Sequence, residues 1–138
     1  MEKFKLVPIG QVHKDSETFL EIYSEFAEAI EGLKEGDWIK LILWFHESDT
    51  PEKRRTLKVH PRGDPRNPLR GVFATRSPVR PNPVAIYSVR ILKITGAKIY
   101  IEEIDAFDGT PIIDIKPLVK RLDCPEGIES QKDSGDNP

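Results

Sequence analysis

Cysteine occurs once in the 138 residues, at Cys124. That excludes an intrachain disulfide and a zinc site built on cysteine pairs. The three histidines, His13, His46 and His60, are too scattered to mark a metal site by spacing, and no metal is expected. The longest apolar run, Ile39 to Phe45, is interrupted by Lys40 and falls far short of a membrane span. The chain starts Met1-Glu2-Lys3-Phe4-Lys5, without an apolar signal segment, so the expectation is a reduced, cytoplasmic protein that meets no membrane. There is no G-x-G-x-x-G, no P-loop and no G-x-S-x-G. Without a catalytic constellation, two options stay open. Either the protein only binds, or a cofactor brings the reactivity and the protein positions it.

Net charge is also scarce: 21 basic residues against 23 acidic ones leave −2. The total hides an asymmetry. Residues 53–80 hold nine cations, seven of them Arg, against the single acid Asp64, so this window is +8 and the remainder is −10. Half of the twelve prolines, Pro61, Pro65, Pro68, Pro78, Pro81 and Pro83, lie in or just beyond it. Proline lowers the entropy lost when a loop is held in one shape, so this segment reads as stiff. One reading is a solvated loop whose arginines pair with acids elsewhere. The reading placed ahead of it is a rigid cationic surface for a polyanion, since the guanidinium fork suits phosphate.

Hydrophobic periodicity supplies the elements. Residues 4–12 read as a short strand broken by Pro8 and Gly10. After a cap at Asp15 or Ser16, Phe19, Ile22, Tyr23, Phe26 and Ile30 recur at helical spacing, and Gly32 stops the helix. Residues 38–46 are nearly all apolar, as in a strand buried on both faces. Short strands follow at 56–60 and 71–75, a long one at 84–95 and its hairpin partner at 97–105. Another runs over 112–115 after the Asp108-Gly109 turn. The expectation is a mainly β fold of six or seven antiparallel strands that curl or close, with one peripheral α-helix. Residues 1–122 would form the domain, and 123–138 a polar tail expected to be disordered.

Two stretches stand out. Gly71-Val72-Phe73-Ala74-Thr75-Arg76-Ser77-Pro78-Val79-Arg80-Pro81-Asn82-Pro83 presents two Arg and an Asn on a proline-locked corner. Asn82 there either bonds a base edge or staples the turn. Asp105-Ala106-Phe107-Asp108-Gly109-Thr110-Pro111-Ile112-Ile113-Asp114-Ile115-Lys116-Pro117 gathers three acids around a turn and a strand. Those acids either pair the basic segment, or bond ligand hydroxyls and face a cation.

Together the two stretches resemble the signature of the TsaA-like, or TrmO-type, tRNA methyltransferase family, which runs G-V-F-A-T-R-S-P-x-R-P-N-P and later D-x-x-D-G-T-P-x-x-D-I-K-P. The likeness covers roughly residues 6–120 and extends to Ile9-Gly10 and the strand ending Phe45-His46. The resemblance implies a single antiparallel β-barrel that uses S-adenosylmethionine to methylate the exocyclic amine of threonylcarbamoyladenosine beside the tRNA anticodon. It also implies a homodimer. Carried onto this chain, it places His46, Glu47, Arg76, Ile86, Glu102, Glu103, Ile104 and Asp105 at the cofactor. Arg62, Arg66, Arg70, Arg80 and Asn82 would grip the anticodon loop, while Asp105 or Asp108 would take the amine proton. Pro83-Val84-Ala85-Ile86-Tyr87-Ser88 departs from the family's P-N-P-I-G-x-S, putting Ala85 for a glycine and a bulky Tyr87 close behind. The family's early R-S-P-Y is His13-Lys14-Asp15-Ser16 here, and a Pro-Arg-Gln loop is missing. These departures carry an alternative: a barrel that binds S-adenosylmethionine or RNA with lost or altered transfer.

Overall fold

The computed structural model describes residues 2–128. Its eight strands are β1 (Gly10–Lys14), β2 (Thr18–Ile22), β3 (Trp38–Trp44), β4 (Lys58–Val59), β5 (Arg70–Gly71), β6 (Val84–Thr95), β7 (Lys98–Ile101) and β8 (Pro111–Pro117). Six of them close into a barrel in the order β1-β2-β7-β6-β3-β8, and β4 and β5 pair as a separate two-stranded ribbon. The mainly β, barrel-forming fold is as expected. Two compact units divide the chain: Met1–Trp44 with Ile86–Leu118, and Phe45–Ala85 with Val119–Pro138.

The first unit owes its form to period-two burial. Val12 in β1, Leu20 and Ile22 in β2, Ile39, Leu41 and Leu43 in β3, Val89 and Ile91 in β6, Ile99 and Ile101 in β7, and Ile112 in β8 are all buried. Alternate residues of every strand thus turn inward, and antiparallel pairing fixes the register: Val12 faces Leu20, Leu20 faces Ile99, and Leu41 faces Ile115. The β6–β7 hairpin turns on two residues, with Thr95 paired to Lys98. Gly96 takes φ +60 at the first central position, which a type II′ turn requires.

Several sequence expectations are corrected. The helix expected after Asp15 is instead β2, followed by a 3₁₀ segment, Ser24–Ile30. Phe19, Ile22, Tyr23, Phe26 and Ile30 fit a helical stripe, but Thr18, Leu20 and Ile22 fit a strand equally well, and these are the residues buried. Pairing with both β1 and β7 decides between the two periods. The described α-helices are short and elsewhere: α1 (Pro51–Arg55) and α2 (Lys120–Asp123). Strand β3 is buried on one face only, with Trp38 49% exposed. Of the strand expected at 71–75 only Gly71 lies in β5, and a 3₁₀ turn, Val72–Ala74, follows it. Regular pairing at the N-terminus begins at Gly10, and residues 2–8 are exposed. The expected polar tail lies outside the described residues from 129 onward.

Gly10 marks the closest backbone approach. A Cβ there would sit 1.9 Å from the Glu21 carbonyl oxygen, a backbone atom that cannot swing aside. Gly10→Ala is therefore expected to destabilise by about 3 kcal/mol, at the upper end of overpacking costs. At Gly71 the nearest atom to an added Cβ is the Leu57 carbonyl oxygen at 3.9 Å. Gly71→Ala is accordingly expected to leave the thermal midpoint nearly unchanged. Melting curves of the two variants check this, and equal midpoints would refute the close approach.

Candidate functional site

Within the first unit, the acidic stretch begins where β7 ends. Ile104 and Ala106 are buried while Glu102, Glu103 and Asp105 between and before them are exposed. Two buried apolar anchors thus hold a carboxylate-bearing strand end. Lys14, at the end of β1, draws this segment inward: its Nζ donates to the Ile104 carbonyl and lies 4.0 Å from a Glu103 carboxylate oxygen. Arg90 pairs with Glu102 at 3.7 Å. Asp105 accepts a hydrogen bond from the Tyr87 hydroxyl at 2.6 Å. Burial, and then the Asp105 carboxylate beside it, pushes the Tyr87 phenol well above its ordinary value of 10.0. Ile86, next to Tyr87, is an exposed apolar residue of β6.

The Asp108-Gly109-Thr110 turn is knitted to β1. Gly109 N–H donates to the Val12 carbonyl at 2.7 Å, and Val12 N–H donates to the Thr110 carbonyl at 2.9 Å. Lys14 N–H donates to Asp108 Oδ1 at 2.7 Å. The buried Thr110 hydroxyl donates to the Phe107 carbonyl, so no polar group is stranded there. Gly109, at φ +82, allows the tight reversal. This half of the acidic stretch is scaffolding for the carboxylates before it.

The second unit carries the basic corner. Arg54 of α1 acts as a three-way clamp. Its Nε donates to the Pro81 carbonyl at 2.7 Å, its Nη2 to Asn82 Oδ1 at 3.1 Å and its Nη1 to Asp49 at 3.1 Å. Arg80 turns back on its own loop, donating to the Thr75 and Ser77 carbonyls at 3.2 and 2.9 Å. Ser77 N–H bonds the Thr75 hydroxyl, and Val79 N–H bonds the Ser77 hydroxyl. The loop between β4 and β5 is braced in the same way: His60 Nδ1 meets the Asn67 carbonyl at 2.8 Å, and Asn67 Nδ2 donates to the Pro61 carbonyl at 2.7 Å. Arg62 there takes φ +59, a left-handed conformation costing about 1–2 kcal/mol for a residue with a Cβ. Arg66 forks onto Asp64 at 2.8 Å and holds that carboxyl below its usual range.

The expected site residues thus fall into two sets. In the first unit Glu102, Glu103, Ile104 and Asp105 lie together in the segment that follows β7, joined by Tyr87 through its hydroxyl; Ile86 is on the strand that carries Tyr87. In the second unit Arg80 and Asn82 are committed to holding the corner, and Arg66 to Asp64. The side chains of Arg70 and Arg76 have no hydrogen-bond or ion-pair partner among the described residues, and Arg76 is exposed. His46 and Glu47 open a short 3₁₀ turn, with His46 Nε2 3.5 Å from the Glu47 carboxylate and Lys53 Nζ on the Glu47 carbonyl at 3.2 Å. Sequence reasoning missed Tyr87, Lys14 and Arg54 as organising groups. Apart from Asp49, five positions before Arg54, their partners lie 18 to 94 positions away in the chain, and no short-range pattern announces such pairs. Among the described residues no cluster of His, Cys, Asp and Glu is placed to hold a metal ion. No helix among them is long and apolar enough to cross a membrane.

Residues 2–124 match the family described as the tRNA-methyltransferase O N-terminal domain. The chain belongs to this family. The resemblance drawn from the two motifs is therefore borne out. The chain is 63% identical over 125 residues to a probable S-adenosyl-L-methionine-binding protein of Pyrococcus horikoshii, covering 91% of this chain and 90% of that one. A protein of Methanocaldococcus jannaschii with the same description is 56% identical over 89% of this chain and 98% of its own. A crystal structure of TrmO superimposes with a TM-score of 0.72 at 28% identity, covering 94% of this chain. The TrmO of Pseudomonas aeruginosa gives 0.70 at 25% identity over 95%. This chain spans only 64% and 62% of those two solved TrmO chains.

Within this TrmO-like domain Tyr87 gives a direct handle on the acidic strand end. Its phenol is held neutral, so its contribution to stability is fully present below about pH 10 and is lost as pH rises through its elevated folded value. The stability gap between wild type and Tyr87→Phe is expected to narrow above pH 10 and to be constant below it. Chemical denaturation at stepped alkaline pH measures this. A gap that widens with alkalinity would contradict the Tyr87–Asp105 pairing.

Proposed function

We propose that this chain is an S-adenosylmethionine-dependent tRNA methyltransferase acting on the exocyclic amine of threonylcarbamoyladenosine beside the anticodon. The match of residues 2–124 to the TrmO N-terminal domain carries the reading. A Pseudomonas aeruginosa relative described as a putative S-adenosylmethionine-dependent methyltransferase, 36% identical over 88% of this chain, adds support. The donor set fits the cofactor. Glu102, Glu103 and Asp105 suit a ribose diol and a cationic centre, Ile86 offers apolar surface, and the open guanidinium of Arg76 suits a carboxylate. His46 and Glu47 complete the proposed contacts. Bound S-adenosylmethionine supplies an electrophilic methyl group on its sulfonium sulfur. The protein holds nucleophile and electrophile in near-attack geometry, an effect worth up to about 7–11 kcal/mol. Asp105 or Asp108 receives the amine proton in this reading, and of the two Asp108 is already engaged by the Lys14 N–H.

On the RNA side, Arg62, Arg66, Arg70, Arg80 and Asn82 are the residues proposed to face the anticodon-loop strand; Arg66, Arg80 and Asn82 contribute by holding the loop's shape, and the side chain of Arg70 is the least engaged of the five. A homodimer in the cytoplasm completes the reading, and the exposed Phe4, Leu6 and Val7 are the kind of surface a second copy covers. One observation favours a second reading, a barrel that binds without transferring. The Tyr87 hydroxyl already occupies an Asp105 oxygen, at a position where this chain departs from the family pattern.

Titration calorimetry of the full chain with S-adenosylmethionine is expected to show binding that Arg76→Ala weakens at least tenfold without lowering the thermal midpoint. Absence of heat with the wild type would remove both readings of the cofactor. Methyl transfer to tRNA carrying threonylcarbamoyladenosine, and none to tRNA lacking it, is the result expected next; heat without transfer would favour the second reading. RNA affinity is expected to fall linearly on a logarithmic salt axis, with the slope reduced by about 0.7–0.9 in Arg70→Ala.

A further inference from the structure

We infer that Phe73 is a stacking platform for an unpaired nucleobase of the bound RNA. The inference rests on the reading of this chain as an RNA methyltransferase and adds to it a contact that no charged group can make. Phe73 is 85% exposed, although phenylalanine is a residue that folding normally buries. It has no ring or cation contact among the described residues.

Its exposure does not come from a loose chain. Val72 before it is buried, and its N–H donates to the Leu57 carbonyl at 2.9 Å. The Val72 carbonyl accepts from Thr75 N–H at 3.1 Å and from the Thr75 hydroxyl at 2.8 Å. Gly71 pairs with Lys58 in the β4–β5 ribbon. The 3₁₀ turn Val72–Ala74 is thus pinned on both sides and lifts the ring into solvent.

Charge identifies the occupant. Phe73 lies three positions from Arg70 and three from Arg76, whose side chains have no hydrogen-bond or ion-pair partner among the described residues. It stands inside a window of nine cations and one acid, and that acid is already forked by Arg66. A solvent-exposed aromatic ring carried on a strongly cationic segment suits single-stranded RNA: cationic side chains of the segment hold phosphates while the ring stacks on a splayed base. A base inside a duplex has no face to offer, so the ligand is a loop or an unpaired segment.

Binding of the full chain to a labelled RNA stem-loop, and to a fully paired duplex of the same length, tests this by fluorescence anisotropy. Phe73→Ala is expected to weaken stem-loop binding about 5- to 150-fold and to leave duplex binding and the salt slope unchanged. Phe73→Trp is expected to retain stem-loop binding and to show emission quenching by the loop RNA that the duplex does not cause. The thermal midpoint of both variants should match wild type. Wild-type stem-loop binding that Phe73→Ala does not weaken would overturn the inference and spare the RNA reading. Equal losses on both RNAs, or a change in self-association with RNA binding intact, would overturn it as well. If the wild type bound neither RNA, both readings would fall together.

Discussion

Inward-facing side chains fill the six-stranded barrel, and that packing constrains everything outside it. A six-stranded barrel is narrower than the eight-stranded ones that can just enclose a small ligand, and here aliphatic side chains fill it. The inner layer here is aliphatic from end to end, from Val12 and Leu20 through Leu41 and Ile99 to Ile112. Gly10 shows how tightly the strands close, since its backbone lies where a single added carbon would meet the Glu21 carbonyl. That leaves strand ends and the connections between strands to carry chemistry.

The connection between β3 and β6 shows what rigidity without a large core requires. Its buried residues are few and small or polar: Ser48, Pro61, Val72, Thr75, Ser77 and Pro83. Hydrogen bonds from side chains to loop carbonyls do the holding instead, through Arg54, Arg80, Thr75 and Asn67. The arginines therefore divide their labour. Some are internal clamps whose charge is incidental to their geometry, while Arg76 is exposed and the half-buried Arg70 has no side-chain partner among the described residues. Counting basic residues overstates the surface available to a phosphate, and placing each guanidinium corrects the count.

The acidic strand end follows a different logic. Ile104 and Ala106 anchor it and leave Glu102, Glu103 and Asp105 in solvent, where a carboxylate keeps its charge cheaply. Lys14 neutralises part of that charge from β1, and Tyr87 donates to Asp105 from β6. Tyr87 thus ties one of the three carboxylates to β6 through its hydroxyl.

Strand β6 was legible to the residue, because a long run with a glycine turn has few alternatives; so were the family, from two motifs in order, and the concentration of arginine and proline over 53–83. Segment 16–31 was not legible. Its apolar residues satisfy a period of 3.6 and a period of 2 together, and only the neighbouring strands β1 and β7, which need a partner between them, select the strand. The 71–75 stretch misled for a related reason, since β-prone residues there have no partner strand beyond Gly71. Composition and local order thus determined which segments are basic, stiff or apolar and which family they spell. Tertiary structure alone decided which arginines are spent as clamps, which carboxylate Tyr87 engages and which aromatic ring is left in water. Those outcomes depend on pairs of groups far apart in sequence, whose distance no one-dimensional pattern records.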